Sequence, residues 1–310
     1  MSGRLWGTSA PAKVILLGEH AVVYGQPAAS VAIDLRMRCR IRSASISSLN
    51  GMPLTAHNYS YVSACLAKHD AGPTAVATDS DFPSGSGLGS SAAVTVALLA
   101  ALARSKGNWD EETVAREAFE VESEVQGRAS PIDTSTCAHG HGILITSERR
   151  DHLLWEMSCD TRRWCVHDLK VPNMTLVIGF TGRSAPTGPM VAKVKRYVDH
   201  STFAREVIED IGQMTLEGVK QMAKGDLESL GRTMTRDHKL LAILGVSSPE
   251  LDKMVSATLP YSYGAKLTGA GGGGSMIALT DRPEKVMEII RSKGGKPYTV
   301  VTDVPGVKNE

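Results

Sequence analysis

The chain has 310 residues, and its 34 Lys and Arg against 33 Asp and Glu give a formal charge of +1, a balance that argues against a dedicated nucleic-acid binder. Hydrophobic residues make up 42% of it, enough apolar material for a core and against global disorder; the length suits two domains, or one large one. Five cysteines (Cys39, Cys65, Cys137, Cys159 and Cys165) are odd in number and lack paired spacing, which fits reduced thiols in a cytoplasm better than a disulfide framework.

Met1 to Ala12 holds one Arg and no apolar run, so no secretory signal is expected. Lys13 to Leu17 is a short apolar run ending at Gly18 and reads as a buried strand. From Val31 to Arg42 apolar residues fill the odd positions, and from Asp34 onward charged residues fill the even ones. That period of two predicts a half-buried antiparallel strand whose arginines form one solvated face rather than a basic patch. Helices are expected at Ser90–Ser105 and Glu111–Gln126, and strands at Gly142–Thr146 and Met174–Phe180. The uncharged run from Phe82 to Ala103 is helix-like only from Ala92, too short to cross a bilayer. Long helical patterns occupy Met190–His200, Phe203–Lys224 and Asp226–Leu244, with a further helix at Pro249–Thr258. A strand at Met276–Leu279, a helix at Pro283–Ser292 and a strand at Tyr298–Thr302 follow. Strands and helices mix without strict alternation, which favours an α+β fold. A helix-rich half begins near Leu169–Pro172, so the expected domains are residues 1–170 and 171–310.

Three segments carry chemistry. In Pro83-Ser-Gly-Ser-Gly-Leu-Gly-Ser-Ser91 three alternating glycines feed a helix N-terminus, whose unpaired amides and dipole favour an anion. A tight turn with an N-cap serine needs only one glycine and one serine, so the excess points to a phosphate cradle. No Lys stands where a Walker A loop needs one, and Gly85, Gly87 and Gly89 alternate too strictly for a Rossmann fingerprint. In Ala10-Pro-Ala-Lys-Val-Ile-Leu-Leu-Gly-Glu-His-Ala-Val-Val-Tyr-Gly25, Lys13 opens an apolar strand, where an ammonium is costly unless it meets an anion. Glu19 and His20 stand at the strand end; taken alone, a snorkelling Lys13 and an exposed Glu19 explain this segment equally well. Lys266-Leu-Thr-Gly-Ala-Gly-Gly-Gly-Gly-Ser275 leads directly into a strand, so its glycines suit close packing against a ligand or the other glycine loop better than a flexible linker.

Pro11-Ala-Lys-Val-Ile-Leu-Leu-Gly-Glu-His20, the Pro83–Ser91 loop and Lys266–Gly274 resemble, in order, the three motifs of the GHMP kinases (galacto-, homoserine, mevalonate and phosphomevalonate kinases). Gly18-Glu-His-Ala-Val-Val-Tyr-Gly25 is most similar to the mevalonate-kinase branch, and so is the spacing of eleven between Glu122 and Asp133. The resemblance implies a two-domain α+β fold: an N-terminal ATP-binding domain like ribosomal protein S5 domain 2, and a ferredoxin-like C-terminal domain. It implies transfer of the γ-phosphoryl of ATP to the 5-hydroxyl of (R)-mevalonate. Pro83, Ser84, Gly85, Ser86, Gly87, Leu88, Gly89, Ser90 and Ser91 would hold ATP, with Gly271 and Gly272 close to its phosphates. Ser91 and Glu122 would bind Mg²⁺, Asp133 and Lys13 would be catalytic, and Glu19, His20 and Thr187 would seat mevalonate. Nucleic acid and membrane are not expected as partners, and a homodimer is allowed. Two departures stand out: Ala12 replaces a common Gly, and Arg128-Ala129 replaces the usual Asn-Pro before Asp133. A different small-molecule kinase and a non-catalytic ligand sensor are the alternatives. Cys137, His139 and His141 lie close together, but no second Cys/His pair completes the four ligands of a structural zinc site.

Overall fold

The alternating stretch around Arg36 folds as a longer strand than its pattern suggests, and it organises the first of two sheets. The computed structural model describes residues 4–55, 59–107, 109–127, 129–184 and 187–310. Its first half comprises β1 (Trp6–Leu17), β2 (Ala28–Ser43), β3 (Ser48–Leu49), β4 (Met52–Pro53), α1 (Ser60–Lys68), β5 (Thr74–Ser80), α2 (Ser90–Lys106), α3 (Glu111–Gln126), α4 (Ile132–His139), β6 (Gly142–Thr146), β7 (Leu153–Cys159) and β8 (Arg162–Asp168). These strands form a sheet in the order β4-β3-β5-β2-β6-β8-β7, with β1 antiparallel to β2 along its whole length. The second half comprises β9 (Thr175–Phe180), α5 (Thr187–His200), α6 (Thr202–Ala223), α7 (Leu227–Ile243), α8 (Pro249–Thr258), β10 (Gly264–Thr268), β11 (Ser275–Leu279), α9 (Pro283–Ser292), β12 (Lys296–Val301) and β13 (Lys308–Asn309). Its antiparallel sheet has the order β10-β11-β9-β12, while β13 returns to pair with β1.

That return corrects one expectation. The β2 arginines do not all face water: Arg36 is 9% exposed and donates to Ser9 Oγ, the Ser9 carbonyl and the carbonyls of Pro305 and Gly306. The chain end covers this stretch of β2, and its carbonyls take the place of water around the guanidinium.

α2 is apolar nearly all round, as a helix packed on both sides must be. One side lies on β1 and β2, the other under α1 and α3. In the second sheet, alternation gives both faces a core. Leu176, Ile178, Ile277 and Leu279 join the apolar cluster of β1 and α2, while Val177, Met276 and Ala278 pack with helices α5, α6, α8 and α9. The two sheets therefore share buried side chains. They are also tied by polar bonds: where the β1–β2 register shifts between Ile15 and Leu17, Thr268 Oγ1 receives the Ile15 N–H (3.0 Å) and donates to the Ile15 carbonyl (3.2 Å). No helix of the described residues is long and apolar enough to cross a membrane.

Candidate functional site

α2 begins at Gly89, which adopts a left-handed conformation and offers no side-chain cap. A Ser or Asp cap would occupy one of the first amides; here they are left to a ligand, and the helix dipole favours an anion. Gly85, Gly87 and Gly89 have φ of 69°, 82° and 75°, values that L-residues with a Cβ rarely adopt. The second glycine run packs behind this loop, backbone to backbone. A Cβ on Gly87 would lie 2.9 Å from the Thr268 carbonyl, and one on Gly269 3.1 Å from the Gly87 carbonyl. Ser275 Oγ donates to the Ser86 carbonyl at 2.7 Å. The two glycine loops thus interlock, which accounts for more glycine than a turn requires.

Opposite the helix start, Lys13 is 1% exposed. Its Nζ lies 2.9 Å from Asp133 Oδ1 and donates to the Gly87 carbonyl at 3.4 Å, and its main-chain N–H donates to the Leu88 carbonyl. Asp133 sits in the first turn of α4 rather than in a loop, so a helix start fixes its direction. Arg128, the first departure before it, lies outside the described residues. Glu122 is buried on the inner face of α3, accepts from Gln126 Nε2 (3.0 Å) and stands near Ser91. Burial first, and the Asp133 charge second, push its carboxyl well above the usual carboxylate range. An oxygen ligand this short of positive charge invites a hard cation. No three His, Cys, Asp or Glu side chains converge as a metal cage among the described residues. Mg²⁺ fits such a site, because it takes one or two protein oxygens and completes its shell with phosphate and water.

Past the end of β1, Gly18 (φ 99°) and His20 (φ 62°) form a strained turn. His20 Nε2 lies 3.0 Å from the Ala270 carbonyl, and burial pushes the imidazole down to about 4. The neutral ring then carries its proton on Nε2, donates it to Ala270, and leaves Nδ1 as an acceptor. Glu19 is 1% exposed and accepts from Lys266 Nζ, which also lies 3.0 Å from Asp237 Oδ2.

One cavity of about 540 Å³ joins these parts. It is lined by Lys13, Glu19, His20, Ser84, Gly85, Gly87, Gly89, Ser90, Ser91, Glu122, Asp133, Thr187 and Gly271. Four expected ATP-side residues stand behind its wall. Ser86 turns its hydroxyl to the Pro83 carbonyl (2.7 Å), and Leu88 is 0% exposed in the core. Gly272 gives its N–H to the Val246 carbonyl at 2.7 Å. Pro83 is the fourth, absent from the lining and held to Ser86. Sequence reasoning missed Tyr61 and Gln126, which also line the cavity; Gln126 Nε2 donates to Tyr61 Oη at 2.7 Å. Cys137 is buried, His139 lies between Glu111 (3.0 Å) and Asp168 (3.1 Å), and His141 pairs with Asp303.

Comparison with known proteins identifies the family. The family model for the GHMP kinase N-terminal domain matches residues 58–141, and that for the C-terminal domain matches residues 219–296. The mevalonate kinase of Methanothermobacter thermautotrophicus is 37% identical over 284 residues, which cover 87% of this chain and 88% of its own. The crystal structure of Methanococcus jannaschii mevalonate kinase aligns with a TM-score of 0.79 at 25% identity, covering 97% of this chain and 98% of that one. L. major mevalonate kinase, solved in complex with R-mevalonate, aligns at 0.80 and 24% identity over 96% of each chain, a likeness of fold.

Proposed function

Because the chain belongs to the GHMP kinases, in their mevalonate-kinase branch, we propose that it transfers the γ-phosphoryl group of ATP to the 5-hydroxyl of (R)-mevalonate. The products are 5-phosphomevalonate and ADP, within isoprenoid biosynthesis. The observation that carries this reading is the pair of buried Lys13 and half-buried Asp133, 2.9 Å apart, facing an uncapped helix start across one cavity.

The Gly85–Ser91 loop and the first turn of α2 hold the triphosphate through main-chain amides. Lys13 stands where the γ-phosphoryl and the attacking oxygen meet, and its charge favours the alkoxide that develops there. Asp133 takes the proton of the 5-hydroxyl. His20 and Thr187 lie toward the acceptor. Ser91 and Glu122 would hold Mg²⁺, which when bound offsets the charge of the β- and γ-phosphates. We divide the chain into residues 1–170 and 171–310, with β13 crossing back to the first domain. We place the reaction in the cytoplasm, a reading supported by five free cysteines.

ADP release measured with mevalonate, phosphomevalonate and homoserine tests the substrate directly. Turnover is expected with mevalonate alone. Turnover with homoserine or phosphomevalonate instead would move the enzyme to another branch, and ATP binding without any turnover would make it a sensor.

The glycine loop gives a second expected result. Gly87→Ala would press a methyl toward the Thr268 carbonyl, and Gly89→Ala toward Lys13 Cε at 2.8 Å. Both should raise the ATP Kd by about tenfold or more, equivalent to about 1.4 kcal/mol, and Gly89→Ala should also slow turnover by displacing Lys13. Calorimetric titration with ligand-free thermal melts checks this. An unchanged Kd in folded Gly87→Ala, with a lowered melting point, would make that glycine purely structural.

A further inference from the structure

Glu19, Lys266 and Asp237 form a cluster that the transfer chemistry leaves unused. They are 1%, 0% and 0% exposed, and come from the turn after β1, from β10 and from α7. Lys266 Nζ donates to Glu19 and makes an ion-pair contact at 3.0 Å with Asp237 Oδ2, while Glu19 Oε2 and both Asp237 carboxyl oxygens have no hydrogen-bond partner among the described residues. Two carboxylates on one ammonium leave an uncompensated negative charge in a site closed to water, where it is costly. The other titratable groups in electrostatic reach are His20 and His238, the latter facing Asp252; burial pushes both imidazoles down, so neither supplies a cation. One added proton restores the balance, and it can lie between the carboxyls, with Glu19 donating to Asp237. Burial pushes both carboxyls up, the direction that charge counting requires, while the two carboxylates outweigh the effect of burial on Lys266 and keep it charged.

The turn beside this cluster needs an anchor. A Cβ on Gly18 would lie 2.5 Å from the Pro27 carbonyl, and His20 sits at φ 62°; strain of this kind persists only where the surroundings over-determine it. We propose that Glu19 is a positioning residue rather than a substrate contact: with Lys266 and Asp237 it forms a proton-sharing clamp that fixes the Gly18–His20 turn and presents the His20 ring to mevalonate. The proposal rests on the reading that His20 faces the acceptor, and it deepens that reading by adding Asp237 and Lys266 to the acceptor side.

Charge counting also chooses the variants. Glu19→Ala leaves Lys266 with Asp237, and Asp237→Asn leaves Lys266 with Glu19, so each retains a balanced ion pair and its fold. Glu19→Gln repeats the hydrogen bonds of a protonated carboxyl, with its oxygen toward Lys266 and its nitrogen toward Asp237. In Glu19→Ala the mevalonate KM is expected to rise by about tenfold or more, with a smaller change in the ATP KM. In Glu19→Gln the mevalonate KM should fall back by about fivefold or more from the Glu19→Ala value. Infrared difference spectra near neutral pH should show a protonated carboxyl band in the wild type that is lost in both Glu19→Gln and Asp237→Asn, a readout independent of activity. Equal mevalonate KM for Glu19→Gln and Glu19→Ala, or a band unchanged in both variants, would overturn the clamp. An unchanged mevalonate KM in folded His20→Ala would overturn it differently, by removing the acceptor reading on which it rests.

Discussion

Asp133→Asn and Lys13→Met are each expected to lower kcat by about 10²–10⁴-fold, the usual contribution of a positioned acid–base group, while ATP still binds. The expectation follows from where the two side chains lie. Lys13 is held on three counts: β1 fixes its backbone, Gly89 borders its alkyl chain, and Asp133 Oδ1 meets its Nζ at 2.9 Å. Lys13→Met keeps most of that alkyl packing and removes only the charge. Asp133→Asn keeps the shape of the group at the start of α4 but removes its capacity to take a proton, and Lys13 retains the Gly87 carbonyl as an acceptor. Nucleotide titration and melting of each variant separate chemistry from folding. An Asp133→Asn enzyme with more than about a tenth of wild-type kcat would contradict its role as the base.

Glu122→Gln carries the other large effect. Glu122 is 5% exposed and its carboxyl is hydrogen-bonded by Gln126; the counter-charge that acts on it, Lys13, is already paired with Asp133. A neutral amide is a poorer ligand for a hard cation than a carboxylate, so the magnesium concentration for half-maximal rate should rise and kcat should fall. Glu120→Gln is the control, since Glu120 lies on the solvent side of the same helix and pairs with Lys68. A magnesium titration of Glu122→Gln that overlays the Glu120→Gln curve would remove Glu122 from the metal site. Direct titration of Mg²⁺ into the nucleotide complex gives the same comparison without turnover.

Much of this architecture was legible because the informative patterns are local. α3, β6, α8 and α9 begin and end where periodicity and caps place them; Asp110 caps α3 and Ser248 caps α8 by accepting a main-chain N–H three residues on. The glycine loops were legible because no simple turn needs so many glycines. Other elements depend on distant partners. α1 is short and carries a weak apolar stripe, and β8 hardly alternates because it lies between β6 and β7. The burial of Arg36 depends on the carbonyls of Pro305 and Gly306, almost the whole chain away. Helix α4, which carries Asp133 in its first turn, is only eight residues long, and no periodic pattern announces it.

Asp237 was missed for a different reason. Arg236-Asp-His-Lys239 reads as a charged, solvated face, although Asp237 falls on the same helical stripe as Leu230, Met234 and Leu241. An acid on an apolar stripe is a sign of a buried ion pair. Its partner, Lys266, lay within a glycine motif where only the glycines drew notice. Tyr61 and Gln126 left no comparable mark, since the cavity wall they form exists only once α1 packs against α3.

The central claim, transfer to the 5-hydroxyl of mevalonate, is tested most directly by the proton-coupled phosphorus spectrum of the product. Mevalonate offers three oxygen nucleophiles: a carboxylate, a tertiary hydroxyl whose carbon bears no hydrogen, and a primary hydroxyl on a methylene. A phosphorus signal split into a triplet by the two protons of that methylene is the expected result. An uncoupled phosphomonoester or acyl-phosphate signal would contradict it, because the phosphoryl group would then have gone to an oxygen other than the one placed beside Asp133 and Lys13.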